Sequence, residues 1–124
     1  MNIFQFIVGR IKSFLPALQG LIFMLRNEKN AWVHSIATVI AIILMFVLKL
    51  NYIEILFFIS AIFLVWITEI INSAFEYFLD FIHKEKNQTI KVIKDLSAAS
   101  VLLSALYALL VFGVILIKKL FLSI

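Results

Sequence analysis

Apolar residues run along this chain in blocks longer than a soluble core uses, separated by short polar breaks. The hydrocarbon of a bilayer, about 30 Å thick, takes roughly 20 residues of helix to cross. Ile36 to Leu48 holds one hydroxyl, Thr38, and no charge, and its flanks extend it to a predicted crossing over about residues 33–50. Ile55 to Ile67 is equally free of charge, and its pattern continues through Thr68 and Glu69 as far as Ile82, predicting a second helix over 53–82. Leu96 to Ile117 has no charge at all and is closed by Lys118 and Lys119, which predicts a third crossing over 95–117. Residues 1–27 read differently. Arg10, Lys12, Gln19 and Arg26 interrupt the Phe, Ile and Leu positions, and Pro16 breaks the run. That pattern predicts an amphipathic helix lying on the membrane surface. It does not fit a signal peptide, because the apolar stretch is broken and no small-residue cleavage site follows. The expected architecture is therefore an all-α membrane protein, one domain over residues 1–124, with a surface helix and three transmembrane helices.

Composition narrows the choice further. Of 124 residues, 65% are hydrophobic and only 15% charged, and mean hydropathy is +1.14, where a soluble domain carries about a quarter charged residues. The absence of Cys excludes disulfides, thiolate metal sites and thiol nucleophiles. The net charge of +4 fits contact with an anionic lipid surface better than with nucleic acid. Its distribution sets the orientation, since Lys and Arg stay on the cytoplasmic side. Arg10, Lys12, Arg26 and Lys29 precede the first crossing, and Lys84, Lys86, Lys91 and Lys94 separate the second from the third. Only Lys49 lies between the first two crossings, and Lys118 and Lys119 follow the third. The N-terminus and the 81–95 connection are expected in the cytoplasm, and the short 50–54 connection and the C-terminus outside.

The residues that carry candidate chemistry are acids at membrane depth, which hydrocarbon disfavours unless they face a bundle interior or a polar cavity. Glu69, Asn72, Glu76 and Asp80 are spaced by 3, 4 and 4 positions. At roughly 100° per residue they fall at about 0°, 300°, 340° and 20°, a single stripe about 80° wide. Glu28, before the first crossing, and Lys94 and Asp95, before the third, belong to the same side of the membrane. So many carboxylates raise one another's pKa unless a cation neutralises them. Hard oxygen donors suit Mg²⁺, which ordinarily arrives with substrate phosphates. A nucleotide is the partner this chemistry implies. With Gly only at 9, 20 and 113, neither a P-loop nor a G-x-G-x-x-G turn exists, so phosphoryl transfer would need another construction.

Several polar residues have plainer explanations. His34 reads as an interfacial hydrogen-bonding residue, Trp32 and the tyrosines as aromatic anchors, and Trp66, near mid-helix, as a packing residue. Glu54 begins the second helix, where an acid meets the positive end of the dipole. Asn87-Gln88-Thr89 matches a glycosylation acceptor, but it falls on the expected cytoplasmic side and such triplets arise by chance.

Glu69-Ile70-Ile71-Asn72-Ser73-Ala74-Phe75-Glu76-Tyr77-Phe78-Leu79-Asp80 resembles the E-x-x-N-(T/S)-A-(I/F)-E-x-x-x-D signature of the small prokaryotic diacylglycerol kinase and undecaprenol kinase family. Lys94-Asp95-Leu96-Ser97-Ala98-Ala99-Ser100-Val101-Leu102 resembles its K-D-(I/L/M)-(A/S)-A-(A/G)-(A/S)-V-L segment, and Ser13-Phe14, Ala17, Gly20-Leu21 and Glu28 its N-terminal pattern. The resemblance runs from about Ser13 to Ile117, in the family's order and spacing. It implies a homotrimer of three-helix protomers in a bacterial inner membrane, using ATP and Mg²⁺ to phosphorylate the hydroxyl of a lipid alcohol at the cytoplasmic face. On the matching positions it makes Glu69 the general base, Glu28 and Glu76 the metal ligands, and Asn72, Lys94 and Asp95 nucleotide contacts supported by Asp80 and Glu85. Asn30 and His34 match the undecaprenol kinase branch, although Trp32 stands where that branch has Arg. Lys86-Asn87 stands where a Tyr-His pair often follows Glu85, leaving Lys86 or Lys91 to supply the nucleotide contact. Two other readings stay open: a small non-enzymatic assembly or ion-conducting unit, and a degenerate kinase that binds nucleotide without turnover.

Overall fold

The computed structural model describes residues 1–122, and among them every regular element is helical. In chain order these are α1 (Ile3–Lys12), α2 (Phe14–Asn27), α3 (Lys29–Val47), α4 (Tyr52–Ile82) and α5 (Gln88–Phe121). They fall into two compact units, residues 1–36 and residues from Ala37 onward.

In the first unit, Asn2 and Gln5 form a reciprocal capping box that starts α1: the Asn2 side chain accepts from the Gln5 amide at 2.8 Å, and the Gln5 side chain accepts from the Asn2 amide at 3.2 Å. Ser13 separates α1 from α2 with helical backbone angles, φ −72° and ψ −14°. Its hydroxyl donates to the Arg10 carbonyl at 2.6 Å. The interruption expected at Pro16 thus shows at Ser13, one turn earlier. A proline has no N–H for the carbonyl four residues back, and its ring crowds that carbonyl, here Lys12. Ile3–Asn27 as a whole is long and apolar enough to cross a membrane, as are α3, α4 and α5.

The second unit is built on α4 and α5, two long antiparallel helices, with the later part of α3 packed at one end. Phe58 is fully buried and anchors a core with Ala41, Leu50 and Ile115. Its ring lies 4.6 Å from that of Phe112 at a 55° tilt, a favourable offset geometry. Away from this core the contacts turn polar. Trp66 donates to the Thr38 hydroxyl at 2.9 Å, joining α4 to α3 and confirming Trp66 as a packing residue. Thr68 and Ser104 share a hydrogen bond of 2.8 Å, and Ser60 and Tyr107 one of 3.0 Å, both joining α4 to α5. Small residues at Ala61, Ser104 and Ala108 are buried and allow close approach. Most other large apolar side chains, such as Phe46, Leu102 and Leu109, are exposed, the surface a bilayer covers.

Element boundaries follow local capping. The Leu50 amide bonds to the Met45 carbonyl and the Lys49 amide to the Phe46 carbonyl, the paired bonds of a Schellman ending. Lys49 occupies its left-handed position, with φ 51°. That ending stops α3 at Val47, short of the predicted 50. Asn51 and Glu54 form the capping box that starts α4. Asn87, the first residue of the chance glycosylation triplet, caps α5 by accepting from the Ile90 amide at 2.9 Å. Because of that cap α5 begins at Gln88 rather than 95: hydropathy locates the hydrocarbon, whereas the helix continues past it.

Candidate functional site

The polar stripe lies on α4 as the spacing predicts, but its environment changes along the helix. Glu69 and Asn72 are buried, at 4% and 9% exposure, together with Ser73. Glu76 and Asp80 are exposed. With a rise of 1.5 Å per residue, Glu69 stands about 16 Å along the axis from Asp80, so the stripe leads from the interior of the unit to its polar end. Asn72 donates through Nδ2 to Glu76 Oε1 at 3.3 Å. Its own Oδ1 is buried with no hydrogen-bond partner among the described residues. A buried acceptor left unpaired is unfavourable by about 1–3 kcal/mol, and an ordered water, an ion or a ligand ordinarily completes the bonding of such an atom.

At the polar end, the connection from α4 to α5 and the helix ends beside it enclose a cavity of about 590 Å³. Asp80, Glu85, Lys94 and Asp95 all line it. Two ion pairs organise its wall. Lys94 Nζ lies 2.7 Å from Asp80 Oδ1, tying the start of α5 to the end of α4, and Lys91 Nζ lies 2.6 Å from Asp95 Oδ2 within one turn of α5. Lys84 and Lys86 line the same cavity, and no ion pair engages them among the described residues. Of the two lysines considered for the missing nucleotide contact, Lys91 is thus already paired with an acid. These exposed pairs contribute little to stability, about 0.2–1 kcal/mol each, and can be rearranged by a ligand.

The structure therefore gathers Asp80, Glu85, Lys94 and Asp95 around one cavity and sets Glu76, Asn72 and Glu69 in order further along α4. Glu28 belongs to the first unit, half-buried at the residue between α2 and α3, where its amide bonds to the Met24 carbonyl. Among the described residues no three His, Asp or Glu side chains form a metal cage. The donor set instead fits an ion that takes one or two protein carboxylates and completes its shell with phosphate oxygens and water, which is how Mg²⁺ is usually held.

Two features escape a reading of sequence. Ser97, on α5 one turn beyond Lys94, has a buried hydroxyl with no partner among the described residues, and serines are too common on helices for its type to signal this. Glu54, read only as a helix-dipole acid, is 5% exposed and lies 3.1 Å from Lys119 and 3.5 Å from Lys118. No periodicity links residues so far apart in the chain.

Helices of membrane-spanning length and a polar stripe that ends in a cavity lined by both acids and lysines define an integral membrane protein with a charged site at one end of a helix pair. Residues 16–116 match the family described as prokaryotic diacylglycerol kinase, and the chain belongs to that family. It is accordingly a lipid kinase in the general sense. A comparison with individual curated proteins finds no match.

Proposed function

We propose that this protein transfers the terminal phosphoryl group of ATP, with Mg²⁺, to the hydroxyl of a membrane lipid alcohol at the cytoplasmic face of a bacterial inner membrane. The observation that carries this reading is the graded stripe of α4. A carboxylate, Glu69, is kept buried at the apolar end, while the charged cavity lies at the polar end. A water-insoluble alcohol reaches the first and a nucleotide the second.

In this reading Glu69 accepts the proton of the lipid hydroxyl as it attacks, the role of a general base. Asn72, with its unpaired Oδ1, and Lys94 and Asp95 engage the nucleotide, with Asp80 and Glu85 holding Lys94 and the cavity wall in place. Glu76 is the metal ligand of this helix, and Glu28 is assigned the second carboxylate by resemblance. Bound Mg²⁺ would neutralise charge on the transferring phosphoryl group, and Lys94 adds to that effect. Lys86, which like Lys84 lines the cavity outside the ion pairs, supplies a cation to contact phosphate.

The residues of the family's undecaprenol kinase branch, Asn30 and His34, favour a polyprenol over diacylglycerol. Arg10, Lys12, Gln19 and Arg26 favour α1 and α2 lying at the interface, with the N-terminus cytoplasmic. A homotrimer follows from the same resemblance, and Glu76, exposed on a single protomer, is an acid that a partner copy would shield from lipid.

The test is direct. Purified protein in mixed micelles with ATP and Mg²⁺ is given undecaprenol or diacylglycerol side by side. A lipid phosphate is expected, most efficiently from undecaprenol, with loss of activity on chelation and in Glu69→Gln while helical content is retained. Phosphorylation of neither lipid, or full activity in Glu69→Gln, rejects the assignment.

A further inference from the structure

Helix α5 presents one face to α4, carrying Lys94, Ser97, Val101, Ser104 and Ala108, all half-buried or buried. Two bonds between the helices fix their antiparallel register: Ser104 meets Thr68, and Lys94 meets Asp80. Ser97 lies between those two points on α5 and so comes level with residues 75–77 of α4, the stretch that carries Glu76.

Helical serines normally satisfy their hydroxyl locally, by donating to a carbonyl three or four residues back. Ser100 does so to the Ser97 carbonyl at 2.6 Å, and Ser104 to the Val101 carbonyl at 2.8 Å. Ser97 does not. Its Oγ is buried and makes no hydrogen bond with any described residue. Leaving a buried hydroxyl unpaired opposes folding. Alanine, a better helix former, would remove the penalty outright. A second buried atom in the unit's polar half, Asn72 Oδ1, also has no hydrogen-bond partner among the described residues, and its residue lies one turn along α4 from Glu76.

We propose that Ser97 is a further substrate-binding residue of this lipid kinase, its hydroxyl donating to an oxygen of the nucleotide's terminal phosphate at the level of Glu76. The inference rests on the kinase reading above. A hydroxyl suits the position chemically: it donates to an anionic oxygen, carries no charge to repel Lys94 or the metal, and is fixed in direction by the helix. Its local bond is forgone because the donor is held for a ligand.

The signature is an opposition between stability and function. Wild type, Ser97→Ala and Ser97→Thr are compared in mixed micelles for thermal unfolding and for kinetics with ATP and lipid alcohol varied separately. Ser97→Ala should unfold a few degrees higher, yet lose about tenfold in kcat/KM for ATP, the size of one hydrogen bond to a charged group. Its KM for the lipid should stay within twofold of wild type. Ser97→Thr, which keeps the hydroxyl, should stay within about threefold in both. A higher unfolding temperature with unchanged ATP kinetics would make Ser97 a mere packing defect and overturn the proposal. A lower unfolding temperature would overturn it too, by showing that the hydroxyl bonds structurally, for example to an internal water. A wild type that phosphorylates no lipid alcohol rejects the kinase reading itself, and this inference with it.

Discussion

The pairing of Glu54 with Lys118 and Lys119 locks the end of the α4/α5 hairpin far from the candidate site, and replacing Glu54 by Gln isolates its contribution. Glutamine keeps the capping box, since its amide oxygen can still accept from the Asn51 amide, which Glu54 does at 3.0 Å. Only the charge is lost. At an effective dielectric constant of about 20, unit charges 3.1 Å apart, the Glu54 to Lys119 distance, attract by roughly 5 kcal/mol before desolvation is counted. Removing one partner of a buried pair typically costs about 3–5 kcal/mol, because the other charge is left uncompensated. That range needs a discount here. The Lys118 side chain is 37% exposed and Lys119 19%, so both ammonium groups can move toward water along their flexible stems. We expect Glu54→Gln to lower unfolding free energy in micelles by about 2–4 kcal/mol, and Glu54→Ala by about 1 kcal/mol more through loss of the cap. A double-mutant cycle with Lys119→Met should return a coupling of about 1–3 kcal/mol. Kinase activity at temperatures where the variant stays folded should be unchanged, since Glu54 lies about 22 Å along α4 from Glu69. A destabilisation under 0.5 kcal/mol, or a coupling near zero, would refute the reasoning: the lysines would then be solvated and the burial of Glu54 inconsequential.

Two further outcomes follow from particular residues. Lys49 holds a left-handed backbone, φ 51°, which disfavours any residue with a Cβ by roughly 1–2 kcal/mol. Lys49→Gly should therefore raise stability by about 0.5–1 kcal/mol after allowing for glycine's greater freedom in the unfolded chain, measured by the same unfolding assay. In the cavity, Lys86→Ala should raise KM for ATP about three- to tenfold, the range for one charge-assisted contact with phosphate, while Lys86→Arg stays close to wild type; steady-state kinetics at fixed ionic strength measure both.

Much of the architecture was legible because a bilayer imposes long-range order on composition. Where hydrocarbon is about 30 Å thick, an uncharged run such as Leu96 to Ile117 can hardly be anything but a crossing helix. Spacing alone also placed Glu69, Asn72, Glu76 and Asp80 on one stripe, since helical geometry is nearly invariant. Boundaries were less legible. The extension of α5 back to Gln88 depends on one side-chain cap at Asn87, which hydropathy does not register, and the expected single N-terminal helix divides at Ser13 under the influence of Pro16.

Helix existence, the register of the acidic stripe and the membership signalled by its motif were set by residues near one another in the chain, where the geometry of a single helix decides the outcome. Tertiary structure alone decided which acids are buried and which are paired. It shut Glu69 and Asn72 from solvent, gave Lys94 to Asp80, left the Ser97 hydroxyl without a partner among the described residues, and brought Lys118 and Lys119 to Glu54. Those outcomes turn on the register between two helices, and burial and charge pairing depend on distances across that packed interface rather than along the chain.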